Sequence, residues 1–331
     1  MALGNNFSLK DLKPNRIPTT LQGNILIYSE PKKGKTSTIY NLYKDKAIFL
    51  CFERGYLYID GLIGVDITKP SDLQKVVREL KKDEKQTFDT VVFDTVDIFA
   101  DMYEKYTCQL NGVTEISKIA WGAGWKIWQE ECNKVIMDLM SCGYNLVFIS
   151  HATEKSMVKI NDEGKEEEYT KIVPTCPKRI LNLVAKNCDH IWYIGQEREG
   201  NKEVRYVYTR DTESFQAGSR LNKLVPKILL DAEEIKKQIK IAVEKEENTT
   251  DEEIKPIVFE EVDFEQVKQE VVSLVMDYFH PNDKMDEVTR ITDDVLGLGM
   301  KINDLERGSE EALEIIKLKL EDKIEELGLT K

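Results

Sequence analysis

The sequence predicts an α/β fold with a mainly parallel sheet, followed by a small acidic helical domain. Three observations carry this. From about Arg16 to Asp231, short apolar runs alternate with longer stretches of helical period. The short runs are continuously apolar, as strands covered on both faces are. Beyond Ala232 the composition turns acidic, with 28 acidic and 14 basic residues against 32 and 33 before it.

The 331 residues are 41% apolar and 32% charged, which excludes disorder along the whole chain. No apolar run approaches the roughly 20 residues that cross a bilayer. The N-terminal MALGNNFSLKDLK lacks the apolar core of a secretory signal, so a cytoplasmic protein without membrane contact is expected. Six cysteines without a C-x-x-C pair, and only three histidines, argue for reduced, mostly buried thiols rather than a structural zinc site.

In chain order, the buried-strand runs are 24–29 (NILIYS), 46–52 (KAIFLCF), 90–94 (TVVFD), 145–150 (NLVFIS) and 190–194 (HIWYI). Helical spacing occupies 71–80 and 124–140, and late strands are expected at 204–209 and 227–230. The polar stretch 154–172, with Asn161-Asp162-Glu163-Gly164 between alternating segments, predicts a protruding hairpin. The expected organisation is an N-terminal tail at 1–15, a core at 16–232, an acidic helix and linker at 233–263, and a helical domain at 264–331. In the last, the helical spacing at 264–280 stops at Pro281, and that at 309–327 opens with Ser309 as N-cap.

The strongest chemical signal is Ser29-Glu30-Pro31-Lys32-Lys33-Gly34-Lys35-Thr36-Ser37, placed after the first strand and before a helix. A P-loop needs a turn whose backbone N–H groups face phosphate, a lysine for the β- and γ-phosphates, and a hydroxyl for Mg²⁺. All three are present, and the helix N-terminus adds its positive end. The departure is Ser29, which stands where the motif has its first glycine and whose side chain is expected to point away from the phosphates. These residues bind the nucleotide on this reading, with Thr36 and Asp94, at the end of TVVFD, on the metal side and Asp97 as the alternative to Asp94. Glu53 follows the second strand and is expected to orient or deprotonate water. His151 ends another strand, where it either senses the γ-phosphate or caps the strand.

With these positions in place, 16–230 resembles the phage-encoded RecA-like P-loop ATPases, the family that includes RecA-fold single-strand annealing recombinases. The resemblance rests on Cys51-Phe52-Glu53-Arg54-Gly55, the Walker B-like 88–95, the sensor-like 145–151, Trp121-Gly122-Ala123-Gly124-Trp125 and Ala217-Gly218-Ser219-Arg220. It implies ATP and Mg²⁺ as cofactors, hydrolysis with Glu53, His151 and Arg220 as catalytic residues, and action on single-stranded DNA. It also implies a homo-oligomeric ring or filament with ATP between subunits, in which Arg220, with Lys223 and Arg210 as alternatives, reaches the neighbour's site.

For DNA contact the resemblance points to 108–122 and 152–179. The second carries Lys155, Lys159, Lys165, Lys171, Lys178 and Arg179, but also Glu163, Glu166, Glu167 and Glu168. Trp121, Trp125 and Trp128 are candidates for base stacking, with Trp125 and Trp128 spaced for a helix core. A different class of function is a nucleotide-gated loader whose acidic tail docks a helicase or single-strand-binding protein. If instead the tail screens a DNA groove, a chain cut near Asp231 is expected to bind single-stranded DNA more tightly at low salt.

Overall fold

The computed structural model describes residues 16–83, 85–160, 164–246 and 262–331, and the backbone of two-residue strands at Ala2–Leu3, Thr249–Thr250 and Val258–Phe259. Two units form: Leu12–Pro256, and Met1–Asp11 with Ile257–Lys331.

The larger unit is built on a ten-stranded sheet. Its strands are β1 (Ile25–Ser29), β2 (Ala47–Cys51), β3 (Gly64–Asp66), β4 (Thr90–Asp94), β5 (Asn145–Ile160), β6 (Glu166–Pro174), β7 (His190–Glu199), β8 (Lys202–Tyr208), β9 (Gly218–Ser219) and β10 (Lys227–Leu229). The order is β10-β8-β7-β1-β5-β4-β2-β3, with β6 paired to β5 and β9 to β7. The pairs from β7 through β3 are parallel, whereas β8, β10, β6 and β9 pair antiparallel.

β1, β2 and β4 are buried at every position because helices cover both faces. Leu26, Leu50, Phe93 and Phe148 point to one face, where α2 (Pro70–Lys81), α3 (Val96–Leu110), α4 (Ala123–Ser141) and α5 (Lys178–Asn187) pack. Ile25, Ile27, Phe49 and Ile149 point to the other, under α1 (Lys35–Tyr43) and α6 (Ala232–Val243). Alternation along each strand thus builds two cores, one per face.

In this unit the expected strands and helices form, with α3, α5, β3 and β9 in addition. The expected hairpin is β5–β6, and β5 runs unbroken from the buried sheet into its outer leg. The turn residues Asn161, Asp162 and Glu163 lie outside the described residues. The charged helix expected at the start of 233–263 forms as α6, and it is part of the core of the larger unit: Ile235, Ile239, Ala242 and Val243 are buried there, and its Asp231 N-cap accepts from the Glu233 and Glu234 N–H groups. Thr249–Thr250 pairs with Ile17–Pro18, while Asn248 and Asp251 lie outside the described residues. Of the 1–15 tail, Ala2–Leu3 pairs with Val258–Phe259, and the rest is outside the described residues.

The C-terminal unit packs α7 (Phe264–Leu274), continued by a π-turn at Val275–Phe279, against α8 (Met285–Leu296) and α9 (Glu310–Leu327). Phe264, Val271, Phe279, Ile291, Ile316 and Leu320 form its core. Ser309 takes the N-cap position of α9 without a capping side-chain bond, and the Glu310 carboxylate accepts from Gly308 N–H instead.

Candidate nucleotide site

Strand register assembles the site. Ser29 of β1 lies beside His151 of β5, Ile149 of β5 beside Asp94 of β4, and Asp94 beside Cys51 of β2. Four adjacent parallel strands therefore deliver the P-loop, His151, Asp94 and Glu53 to one carboxyl edge, where open α/β sheets bind ligands. Glu53 is drawn in by the Asp94 carbonyl, which accepts from the Phe52 and Glu53 N–H groups at 2.8 and 3.3 Å.

Gly34 turns the chain into α1 with φ +99, and a Cβ there would stand 3.2 Å from Arg205 Nη1. Only glycine combines that conformation with that close approach. Lys35 is 6% exposed. Its Nζ is held by the Ser29 carbonyl at 3.0 Å, the Glu30 carbonyl at 3.1 Å and Ser29 Oγ at 3.3 Å. The Ser29 hydroxyl therefore lies against the Lys35 ammonium and donates to the Glu30 carbonyl at 2.8 Å.

The Thr36 hydroxyl donates to Asp94 Oδ2 at 2.9 Å. Asp94 is 2% exposed, and burial, opposed by the Thr36 hydrogen bond, pushes its pKa up to about 6. Burial also lowers the Lys35 pKa, with Asp94 and Glu53 opposing. A hydroxyl and a buried carboxylate side by side are an oxygen donor set that fits a small hard cation such as Mg²⁺. His151 bridges the two halves, with Nδ1 3.4 Å from Lys35 Nζ and Nε2 3.6 Å from Glu53 Oε1.

Asp97 does not join this cluster as a free carboxylate, since it accepts from Ser150 Oγ, His151 N–H and Thr175 Oγ1. Arg220 lies at the opposite, amino edge. It pairs with Asp189 at 3.0 Å, and Asp189 in turn accepts from Asn24 N–H just before β1. One strand length, about 17 Å, separates that edge from the P-loop. Arg210 spends its guanidinium on the carbonyls of Thr209, Ser219, Leu221, Asn222 and Leu224 and is not available as a trans residue, whereas Lys223 is exposed. Sequence reasoning missed Arg205 of β8, whose Nη1 donates to the Lys33 carbonyl at 3.0 Å. Nothing in its alternating strand marks it out.

The residues expected to contact DNA divide. Lys159 pairs with Glu213 and Lys171 with Asp211, so both lysines are neutralised within the fold. Lys155, Lys178 and Arg179 are exposed, and Arg179 stands over the Trp125 ring. Trp128 is core, donating to the Ala100 carbonyl at 2.9 Å, and Trp125 packs edge-on against it. Trp121 is fully exposed, with φ 58.

The AAA domain family profile matches residues 22–221, which hold every strand and loop of this site. The chain belongs to the AAA domain family. This AAA domain is an α/β P-loop nucleotide-binding domain with a mostly parallel sheet. Over 324 residues the chain is 28% identical to the SPbeta prophage-derived uncharacterized protein YorG of Bacillus subtilis (strain 168), covering 92% of this chain and 95% of that protein. A more distant likeness is to the KaiC-like protein PH0186 of Pyrococcus horikoshii OT3, with 12% identity and a TM-score of 0.34 over 60% of this chain and 88% of that one. Among the described residues, no helix is long and apolar enough to cross a membrane.

Proposed function

We propose that this AAA domain protein binds and hydrolyses ATP with Mg²⁺ and acts on single-stranded DNA in phage recombination or annealing, as a RecA-like ring or filament in the host cytoplasm. The observation that carries the reading is the row of Lys35, Thr36, Asp94, Glu53 and His151 on four neighbouring strand ends. The likeness to a prophage-derived protein supports the phage setting.

On this reading, the P-loop N–H groups and Lys35 hold the β- and γ-phosphates, while Thr36 and Asp94 hold Mg²⁺. Mg²⁺ held there would supply positive charge to offset that of the phosphates. Glu53 orients and deprotonates the attacking water, and His151, 3.6 Å from it, faces the γ-phosphate and reads its loss. With Arg210 committed to backbone carbonyls, the trans residue is Arg220 or Lys223.

The test is ATP turnover with and without single-stranded DNA. DNA-stimulated hydrolysis supports the whole reading, hydrolysis indifferent to DNA removes the DNA part, and no hydrolysis removes the ATPase part.

A second reading, a nucleotide-gated loader for a helicase or single-strand-binding protein, draws on one observation. The acidic C-terminal unit leaves Val272, Met276, Leu298 and Leu318 exposed, apolar surface that a protein partner would cover. Capture of a single-strand-binding protein by the full chain, lost with Leu298→Asp and Leu318→Asp together, would favour it.

A further inference from the structure

Asp97 stands in the first turn of α3, where the helix N-terminus alone would stabilise a carboxylate. It makes further bonds beyond its helix. Oδ1 accepts from Ser150 Oγ at 3.0 Å and from Thr175 Oγ1, and Oδ2 accepts from the His151 backbone N–H at 3.3 Å. Thr175 N–H also donates to the His151 carbonyl at 2.9 Å.

These bonds fall at one place in the topology. The innermost pair of the β5–β6 hairpin is Ala152 with Pro174, so His151 and Thr175 are the next residue on each leg, at the root. Asp97 fastens both legs to α3 at the residue whose imidazole lies between Lys35 and Glu53. Without that carboxylate, the backbone of His151 keeps its sheet pairing to Ser29 and its bond from the Thr175 N–H but loses its anchor to α3.

We propose that Asp97, acting with Thr175, is a positioning residue that fixes the His151 backbone so that its imidazole stays directed at the terminal phosphate. The inference rests on the reading of His151 given above. Asp97 touches neither nucleotide nor metal on this account and acts only through His151. Because β5 is continuous from Asn145 to Ile160, the same clamp ties the orientation of the hairpin to the state of the nucleotide site.

The test compares Asp97→Asn, Thr175→Val, Thr175→Ser, His151→Gln and the Asp97→Asn/His151→Gln pair in the full chain. The readouts are kcat and KM for ATP, affinity for a fluorescent ADP analogue, and thermal melting. Asparagine exchanges one acceptor for a donor and valine removes the hydroxyl, so Asp97→Asn and Thr175→Val should each lower kcat about tenfold while KM and ADP affinity stay within about twofold. Thr175→Ser keeps the hydroxyl and should retain normal kcat. The double variant should be no slower than His151→Gln alone, because the two residues act as one unit.

Normal kcat in Asp97→Asn beside a slow His151→Gln would overturn the positioning role and leave the His151 reading standing, as would losses that multiply in the double variant. Normal kcat in His151→Gln would overturn that reading and this inference with it. Should Asp97→Asn melt too low to assay, the Thr175→Val and Thr175→Ser comparison decides.

Discussion

The Thr36 hydroxyl donates to the Asp94 carboxylate across 2.9 Å, joining the first turn of α1 to the end of β4. Burial holds that carboxylate at a pKa of about 6, so it is ionised at neutral pH and takes up a proton as the pH falls below 6. A cation needs the ionised form and must displace that proton. Mg²⁺-dependent nucleotide affinity should therefore decline by about tenfold per pH unit below 6. Calorimetric titration at pH 7, 6 and 5 checks this, and Asp94→Asn should flatten the dependence; a flat profile in the unsubstituted protein would count against Asp94 as the metal-side carboxylate.

The hydrogen bond from Arg205 to the Lys33 carbonyl braces the loop before any chemistry occurs. Losing one such bond is worth about 1 kcal/mol, so Arg205→Ala should raise KM for ATP about fivefold and leave kcat nearly unchanged. Steady-state kinetics at fixed Mg²⁺ separates the two parameters, and a fall in kcat alone would point to a role in the reaction itself.

Arg220 is paired with Asp189 at the amino edge and does not reach its own P-loop. If it serves a neighbour, mixing Arg220→Ala with Lys35→Ala subunits should restore part of the ATPase activity that each lacks, because mixed contacts unite an intact P-loop with an intact arginine. No restoration, with co-assembly demonstrated by crosslinking, would exclude a shared site using Arg220.

The position of α6 changes where the acidic segment can be cut. A chain ending at Asp231 loses Ile235, Ile239 and Val243 from the core, and burying each such side chain is worth about 1.5–3 kcal/mol. That chain should unfold or aggregate, whereas one ending at Glu246 should melt cooperatively. The shorter protein ending at Glu246 should bind single-stranded DNA more tightly at about 20 mM than at about 200 mM salt, beyond the salt response of the full chain, if the tail screens a DNA groove. Equal affinities of the two chains at both salts would leave the tail as a docking element.

Much of this was legible before the fold was known, for physical reasons. Strands buried on both faces must be continuously apolar, and a phosphate loop must sit between strand and helix, so β1, β2, β4 and the Gly34-Lys35-Thr36 turn announce themselves. Asp94 and Glu53 follow from position alone, as each ends or follows such a strand. What was hidden depends on partners far away in sequence. The charged surface of α6 reads as a helix that separates two units until Ile235 and Ile239 find the sheet. Lys159 and Lys171 read as a phosphate-binding surface until Glu213 and Asp211 neutralise them, and Arg205 and Asp97 gain meaning only from Lys33 and Thr175.

The central claim is that Lys35 holds phosphate while Glu53, beside His151 at the same edge, activates water. Single-turnover hydrolysis measured alongside ATP binding tests it most directly in Lys35→Ala and Glu53→Gln. Loss of binding in Lys35→Ala, together with retained binding and a hydrolysis rate reduced by about 100-fold or more in Glu53→Gln, is the predicted result. Normal hydrolysis in Glu53→Gln, or equal loss of binding in both variants, would contradict the account.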